Sequence, residues 1–359
     1  MAGGLSNPGS PHPQSECVTL ALHAMATRFE FVLHGPSRSA LQSAGEEALR
    51  EIQLLEGQLS FFIPTSEIAH INARAAREPV RVSPRVFGLL ERAQRLYHET
   101  GGAFDITIAP LMRCWGFRGG AGRIPSPDEL AAARSRVGME LVLLDAAQRT
   151  VRLAREGVML DLGAIGKGYA IESAAEILRE NGVASALLHG GTSTVQALGR
   201  PPGEEGWTVA VYRPPDLALP GVQESDGSRR HEQRAGEAAP EPLAMIQLRD
   251  EAMSVSAVWG RAFEIEGKLF GHVIDPRSGR PAGAAVLAAV AVPSATDSDG
   301  LSTALLICGP ERMETLAGLR PGMRTLVATQ TAEGLRTKCA GPAPGFLKSS
   351  GVLRKSLPY

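Results

Sequence analysis

The chain has 359 residues, of which 43% are hydrophobic and 21% charged, so it can bury the core of one large or two ordinary domains. Its formal net charge of −1 gives no basic excess that would favour nucleic-acid binding, and no run of about 18 apolar residues predicts a membrane span. The four cysteines are scattered without a CxxC pair, which disfavours a zinc site or a disulfide framework and suits a reducing compartment.

Three segments differ in composition from the rest of the chain. Residues 1–16 are rich in Gly, Ser and Pro and lack a basic region followed by an apolar run, so we expect a disordered N-terminus without a signal peptide. Residues 214–242 are rich in Pro, Gly, Glu and Arg without a period, which indicates a mobile insertion. Residues 345–359 are polar and predict a loose tail, which leaves 17–344 as the folded domain.

Strand and helix signals alternate through the first half of this domain. Residues 18–33 predict strand structure interrupted at 24–27, and residues 39–59 form a long amphipathic pattern typical of a helix. Capping residues, two of them followed by proline, predict three further helices that begin at Thr65 or Ser66, at Ser83 and at Ser126. Short strands are predicted at 140–144, 149–153 and 158–161.

The second half of the domain continues the alternation. A helix is predicted after a turn at 163–168, and it ends near Gly182. Strands are predicted at 186–188, 207–212, 243–248, 252–256, 261–265, 269–274 and 286–292. Helices at 299–308 and 310–319 and a hairpin at 323–338 complete the domain.

The turn at 163–168 is the centre of the sequence. It holds three glycines between a predicted strand and a predicted helix, a geometry in which backbone N–H groups point at an anion. Asp161 and Lys167 flank the turn with opposite charges. The glycine spacing matches neither a Walker A loop nor GxGxxG, so a tight strand–helix connection is the alternative. Asp161 is interpreted either as a contact to a polar group of a ligand or as the cap of the helix.

One pair of oxygen-bearing side chains and one histidine lie further along the chain. Asp299 and Thr303 are four residues apart on a predicted helix, so a carboxylate and a hydroxyl share one face and could hold Mg²⁺; a helix cap and a back-bonded threonine are the alternative. Asp297 lies off that face, and we expect its replacement to be mild. His272 stands at a predicted strand end, where it is either a general base, a phosphate donor or a structural histidine.

Aromatic residues could provide a surface for a flat ring. The candidates are Phe62, Phe104, Trp115 and Phe117, although such residues are commonly core. Asp105 follows Phe104 and could meet a ring nitrogen or cap a turn.

Taken in order, eight short blocks carry a family resemblance. They are Met25-Ala26-Thr27, Ser60-Phe61-Phe62 with Ser66-Glu67, Gly102-Ala103-Phe104-Asp105, Trp115-Gly116-Phe117, the stretch Asp161–Ala170, Gly190-Gly191, His272-Val273-Ile274-Asp275-Pro276 and Asp299-Gly300-Leu301-Ser302-Thr303-Ala304. The set resembles the ApbE family, the FAD:protein FMN transferases, from about Met25 to Gly309. Ala164 and Gly166 depart from it, because the family more often has Gly and Ala there.

The resemblance implies a fold and a set of ligands. The fold is α+β, with antiparallel or mixed sheets flanked by helices in an ApbE-like, T-fold-related architecture. The substrate FAD would be bound by Met25, Phe62, Ala103, Phe104, Asp105, Asp161, Lys167 and Val273. Mg²⁺ would be held by the carbonyl of Ala164 and the side chains of Asp299 and Thr303, and His272 and Asp299 would be catalytic.

The implied activity transfers FMN from FAD to a Ser or Thr hydroxyl of an acceptor protein that carries a flavinylation motif, and AMP leaves. An Mg²⁺-dependent FAD pyrophosphatase that uses water, and an FAD-binding protein without turnover, remain as alternatives. We expect neither nucleic acid nor membrane insertion. The export signal that many members of the family carry is absent, which predicts a cytoplasmic protein.

Overall fold

The structure is a computed structural model that describes residues 15–213 and 242–348. Most of the predicted N-terminal disordered segment, nearly all of the predicted insertion at 214–242, and the tail from residue 349 lie outside the described residues. At the edges of those segments, Glu16 and Pro242 each begin a strand, and Leu347 belongs to one. The start of the predicted loose tail is therefore paired in a sheet, with Leu347 opposite Met245.

Short strands account for most of the elements. The strands are β1 (Glu16–Ala24), β2 (Thr27–Gly35), β3 (Val80–Arg81), β4 (Val142–Asp145), β5 (Thr150–Leu153), β6 (Ser185–Gly190), β7 (Thr194–Leu198), β8 (Trp207–Tyr212), β9 (Pro242–Leu248), β10 (Ala252–Ala257), β11 (Ala262–Ile265), β12 (Lys268–Gly271), β13 (Ile274–Asp275), β14 (Arg280–Pro281), β15 (Leu287–Val292), β16 (Arg324–Thr331), β17 (Gly334–Ala340) and β18 (Leu347–Lys348).

Five of the eight described α-helices begin after a serine whose side chain caps the first turn. The eight are α1 (Arg38–Leu59), α2 (Glu67–Arg74), α3 (Pro84–Glu99), α4 (Ala109–Cys114), α5 (Pro127–Arg134), α6 (Gly166–Glu180), α7 (Ala295–Cys308) and α8 (Met313–Ala317). The serine-capped helices are α1, α2, α3, α5 and α7. The predicted caps Ser66, Ser83 and Ser126 each accept a hydrogen bond from a backbone N–H of the first turn. Ser126 also forms a capping box with Glu129, so two otherwise unpaired N–H groups of α5 are satisfied.

An eight-stranded sheet organises the fold, in the order β1-β2-β6-β7-β10-β15-β16-β17, with every neighbouring pair antiparallel. One face packs against a core that includes α1, α3, α6 and α7, and the other packs against a smaller sheet of order β18-β9-β8. Side chains of β15 alternate between the two: Ala288 and Val290 join the helical core, and Leu287 and Ala289 join the second core. The α+β prediction is confirmed.

The strand predicted at 158–161 is absent, and side-chain hydrogen bonding explains the error. The Asn72 side chain donates to the Leu160 carbonyl at 2.9 Å and accepts from the Leu160 N–H at 2.7 Å. The next N–H, that of Asp161, donates to the Ile106 carbonyl oxygen at 2.7 Å. An amide side chain and a loop thus satisfy the backbone groups that a neighbouring strand would otherwise pair.

Helix α7 begins earlier than predicted. The pattern placed its start at Asp299, but the helix starts at Ala295, and Ser294 caps it by accepting from the Asp297 N–H at 3.0 Å. Asp299 consequently lies in the second turn, where its side chain is not needed as a cap. Within residues 15–213 and 242–348, no helix combines the length and hydrophobicity that crossing a membrane requires.

Candidate active site

The glycine-rich turn lies directly on helix α7. The Gly168 N–H, in the first turn of α6, donates to Asp299 Oδ2 at 2.9 Å. A Cβ atom at position 168 would lie 2.3 Å from the Ala295 carbonyl oxygen and 2.7 Å from Asp299 Cβ, so only glycine permits this approach. The two helices therefore meet backbone against backbone, and this contact brings the predicted turn to the predicted metal ligand.

Asp299 and Thr303 share one face of α7, as predicted. Asp299 is only 4% exposed. The Thr303 hydroxyl lies 3.1 Å from Ser256 Oγ on β10 and 3.4 Å from the Asp299 carbonyl oxygen, so a long back-bond is also present. Ser256 additionally contacts Ser302 at 2.8 Å. Sequence reasoning gave Ser256 no role, since only the packing of β10 on α7 reveals it.

The oxygen donors at this place fit Mg²⁺ better than a transition metal. In the described ranges, no three side chains of His, Cys, Asp or Glu cluster in a way that could hold a metal ion. Asp299 supplies one carboxylate and Thr303 a neutral oxygen, and Ala164 is half-buried in the turn just before α6. A hard cation that keeps several waters and binds substrate phosphate suits such a sparse set of ligands.

Asp161 lies at the start of the glycine-rich turn, before Gly163. Its Oδ1 accepts from the Gly163 N–H at 3.0 Å, and its Oδ2 pairs with the Arg118 guanidinium. The interpretation of Asp161 as a helix cap is wrong, because Ile165 occupies the cap position of α6 without any side-chain bond. The carboxylate is therefore held in place by a turn and by one arginine.

Arg118 is a site residue that sequence reasoning missed. Its guanidinium lies over the rings of Phe61 and Phe62, at 4.3 and 4.8 Å from their centroids. Phe62 is 70% exposed. The only sequence signal was an arginine next to the Trp115-Gly116-Phe117 block, and nothing in the pattern connected that block with Asp161.

The four candidate aromatic residues do not form one wall. Phe104 is buried in the main core, whereas Trp115 and Phe117 contact Phe270 and Phe263, with ring centroids 5.7 and 5.1 Å apart. Phe62 is exposed and Phe117 is half-buried, whereas Phe104 and Trp115 are buried, so the alternative of core packing holds for the last two. Phe104, Trp115 and Phe117 stabilise the loops that surround the turn.

Asp105 forms the predicted turn cap, and its contact to a ring nitrogen of a ligand stays a prediction. Its Oδ1 accepts from the N–H and hydroxyl of Thr107 at 2.7 and 2.6 Å, which is the predicted turn cap. Its Oδ2 is buried and meets no hydrogen-bond partner in the part of the chain described here. Burial raises the pKa of Asp105 to about 7, against the lowering effect of the Thr107 bonds. Asp105 is one of the residues that line a cavity of about 450 Å³, and none of the other predicted FAD contacts lines it. Ala103 is fully buried.

His272 lies between β12 and β13, with Nδ1 3.1 Å from the carbonyl oxygen of Arg261. Burial lowers its pKa below the ordinary histidine value, and the charges of Arg261 and Lys167 act in the same direction. Nδ1 also lies 3.3 Å from the Arg261 N–H, so it accepts from that N–H in one tautomer and donates to the carbonyl in the other. In the second tautomer the neutral imidazole presents Nε2 as an acceptor. Lys167, whose Nζ lies 3.3 Å from the Gly163 carbonyl oxygen, connects His272 electrostatically to the turn. Val273 follows, half-buried against the main core.

Met25 sits in the tight turn between β1 and β2, where it and Ala26 have positive φ angles of 50° and 57°. Its N–H donates to Glu56 Oε1 at 2.6 Å, near the end of α1, so this turn is joined to the segment that leads to Phe62. A Cβ atom on Gly191 would lie 2.2 Å from Thr27 Oγ1. Two blocks far apart in sequence therefore touch.

Asp297 belongs to a half-buried ion network behind the site. Arg92 donates to Asp297 at 2.7 Å and to Glu172 at 2.7 Å, and Arg320 donates to Asp297 at 2.7 Å. Glu172, on α6, also accepts from the Thr296 N–H at 2.8 Å. Asp297 is thus a junction between α3 and α7. The expectation that its replacement has a mild effect on FMN transfer stays a prediction, whereas the ion pairs predict a loss of stability.

Comparison with known proteins identifies the family. The model of the ApbE family matches residues 25–327. The FAD:protein FMN transferase of Treponema pallidum is 30% identical over 292 residues, which are 80% of this chain and 77% of that protein. The FAD:protein FMN transferase of Vibrio cholerae is 26% identical over 341 residues, 93% of each chain.

Solved structures agree in fold. The crystal structure of the ApbE protein from Thermotoga maritima gives a TM-score of 0.75 at 24% identity, covering 91% of this chain and 97% of that one. The flavin transferase ApbE from Vibrio cholerae gives 0.72 at 25% identity, with the same coverage of both chains. Because the family model matches well over half of the sequence, this chain belongs to the ApbE family.

Proposed function

We propose that the protein is an FAD:protein FMN transferase, which moves FMN from FAD to a Ser or Thr hydroxyl of an acceptor protein and releases AMP. The relatives named above carry this activity in their names. One observation supports it from within the chain: the Gly168 N–H bonds Asp299 at 2.9 Å, so the glycine-rich turn and the Asp299–Thr303 face form one site.

The residues around this contact suit a flavin dinucleotide. Phe62 offers an exposed ring, Met25 is tied to the segment before it, and Asp161 and Lys167 border the turn. Asp105 has a buried carboxyl oxygen without a partner among the described residues, and Ala103 and Phe104 are packed in the main core next to it in sequence. Val273 adjoins His272. We assign these eight residues to FAD.

His272 is assigned as the general base. A hydroxyl oxygen of the acceptor forms a bond to the FMN phosphorus, and the anhydride bond to the AMP phosphate breaks, so that AMP leaves with the bonding electrons. The lowered pKa keeps His272 neutral. We assign the tautomer in which Nδ1–H donates to the Arg261 carbonyl, so that the hydroxyl proton passes to Nε2. The contact between Nδ1 and the Arg261 carbonyl holds the imidazole in orientation.

Asp299, Thr303 and the Ala164 carbonyl are assigned to Mg²⁺. When bound, Mg²⁺ neutralises charge on the pyrophosphate and supplies electrostatic stabilisation to the transfer. Asp299 provides the charge of this set, and its bond to Gly168 fixes its orientation. Ser256 holds the Thr303 hydroxyl from β10.

A labelling experiment in a whole-cell extract tests the proposal, because the extract supplies the acceptor protein. The purified protein is incubated with FAD, Mg²⁺ and an extract of the source cells, and AMP is measured together with flavin fluorescence that stays on a polypeptide after denaturing electrophoresis. We expect AMP and a fluorescent band, both lost without the enzyme. AMP with free FMN and no band would instead assign a pyrophosphatase, and absence of both would leave an FAD-binding protein.

A further inference from the structure

The guanidinium of Arg118 is buried, and two of its nitrogens have no hydrogen-bond acceptor among the described residues. Its side chain is 12% exposed, and one terminal nitrogen pairs with Asp161. The other two nitrogens, Nε and Nη1, are buried and find no acceptor in residues 15–213 and 242–348. Leaving a buried donor unsatisfied is costly, so native proteins keep such groups mainly where a ligand or another partner meets them.

The surroundings of Arg118 define what such a ligand should look like. Phe61 and Phe62 lie against the guanidinium, and the Phe62 ring is largely open on the side that Arg118 does not cover. The pairing with Asp161 neutralises the charge of Arg118. A neutral, planar, carbonyl-bearing group therefore fits this place better than a phosphate, which would favour an uncompensated cation.

We propose that Arg118 is a further FAD-binding residue, which holds the flavin ring by donating its free N–H groups to ring carbonyl oxygens while the ring lies beside Phe62. The inference rests on the proposed function, since it names a contact within the same site. It assigns Arg118 to the flavin half of FAD and leaves the pyrophosphate to the turn and α7. Arg118 thereby favours FAD over nucleotides that lack a flavin.

Calorimetry with three probes tests this assignment. FAD, riboflavin and ADP are titrated into the wild-type protein and into Arg118→Ala and Arg118→Lys. Losing two hydrogen bonds from a charged donor should weaken FAD and riboflavin binding about tenfold or more and leave ADP binding within about twofold. Arg113→Ala is the matched control: Arg113 also lies over Phe61, at 5.7 Å, but it is exposed, so all three affinities should persist.

Each outcome decides between identified alternatives. Equal loss of FAD and ADP affinity would overturn the proposal in favour of a phosphate contact, and unchanged FAD affinity in Arg118→Ala would overturn it altogether. If Arg118→Ala fails to fold, Arg118→Lys carries the test, because it retains the charge beside Asp161 but not the fork of donors. Failure of the wild-type protein to bind FAD would contradict the proposed function itself, which separates the two claims.

Discussion

Replacing Asp297 by alanine tests whether its ion pairs stabilise the helices that carry the candidate site. Asp297 accepts a hydrogen bond from Arg92 and another from Arg320, both at 2.7 Å, at the first turn of α7. Its removal takes one carboxylate from two arginines at once. Because Glu172 and the α7 cap belong to the same network, the change should loosen the contact between α6 and α7 that carries Asp299.

The magnitude follows from what remains after the substitution. Removing one partner of a buried ion pair costs about 3–5 kcal/mol of unfolding free energy. Arg92 keeps Glu172 and Arg320 keeps Glu99, so neither guanidinium is left without a carboxylate. We therefore expect a loss of about 2–3 kcal/mol for Asp297→Ala, which corresponds to a melting temperature lower by about 3–5 °C for a folded domain of this size.

Urea unfolding followed by circular dichroism measures this difference. Asp128→Ala is the control, because Asp128 also lies in the first turn of a helix but is exposed, so both variants lose the same interaction with the helix dipole. Burial would raise the pKa of Asp297, but Arg92 and Arg320 outweigh this effect and lower it. The contribution of Asp297 to folding stability is therefore present above about pH 4 and is lost as pH falls through the lowered pKa. Equal midpoints for the two variants at pH 7 would refute the reasoning.

Three further predictions concern single groups. Gly168→Ala should lower both stability and FMN transfer, because its Cβ would lie 2.3 Å from the Ala295 carbonyl oxygen; unchanged melting and turnover would contradict that contact. The rate of transfer should rise with pH through the pKa of His272, below about 6.5, and a pH–rate profile of His272→Gln should lack that limb. Burial raises the pKa of Asp105 to about 7, so the folded protein binds an extra proton between about pH 4 and 7 and its stability falls as pH rises through that range. In Asp105→Asn the urea midpoint should depend less on pH in this range. An unchanged dependence of the midpoint on pH would count against the assignment.

Local signals in the sequence were sufficient for most of the fold. Serine caps, proline at the first helical position and short continuous apolar runs depend on neighbouring residues, so α3, α5 and β15 could be predicted. The segment 158–161 was assigned wrongly because its backbone bonds to Asn72, which is distant in sequence. The start of α7 was missed because it is buried all round and shows no amphipathic period.

The candidate site could likewise be predicted only in part from the sequence. Asp299 and Thr303 could be paired from their spacing, and the ordered blocks indicated which family the chain resembles. Arg118 could not be found, because its meaning comes from Asp161 and Phe62, which arrive from other loops. The ion pairs of Asp297 could not be predicted for the same reason: helix spacing showed that it faces away from Asp299, but not that two arginines occupy the place it faces.

The stoichiometry of the reaction tests the central claim most directly. AMP released and flavin attached to a purified acceptor are measured in the same reaction, for the wild-type protein and for Asp299→Asn, which keeps an oxygen for the Gly168 N–H but removes the charge. The account predicts one AMP for each FMN attached and the loss of both products in Asp299→Asn at an unchanged melting temperature. AMP formed with free FMN alone, or full transfer by Asp299→Asn, would contradict it.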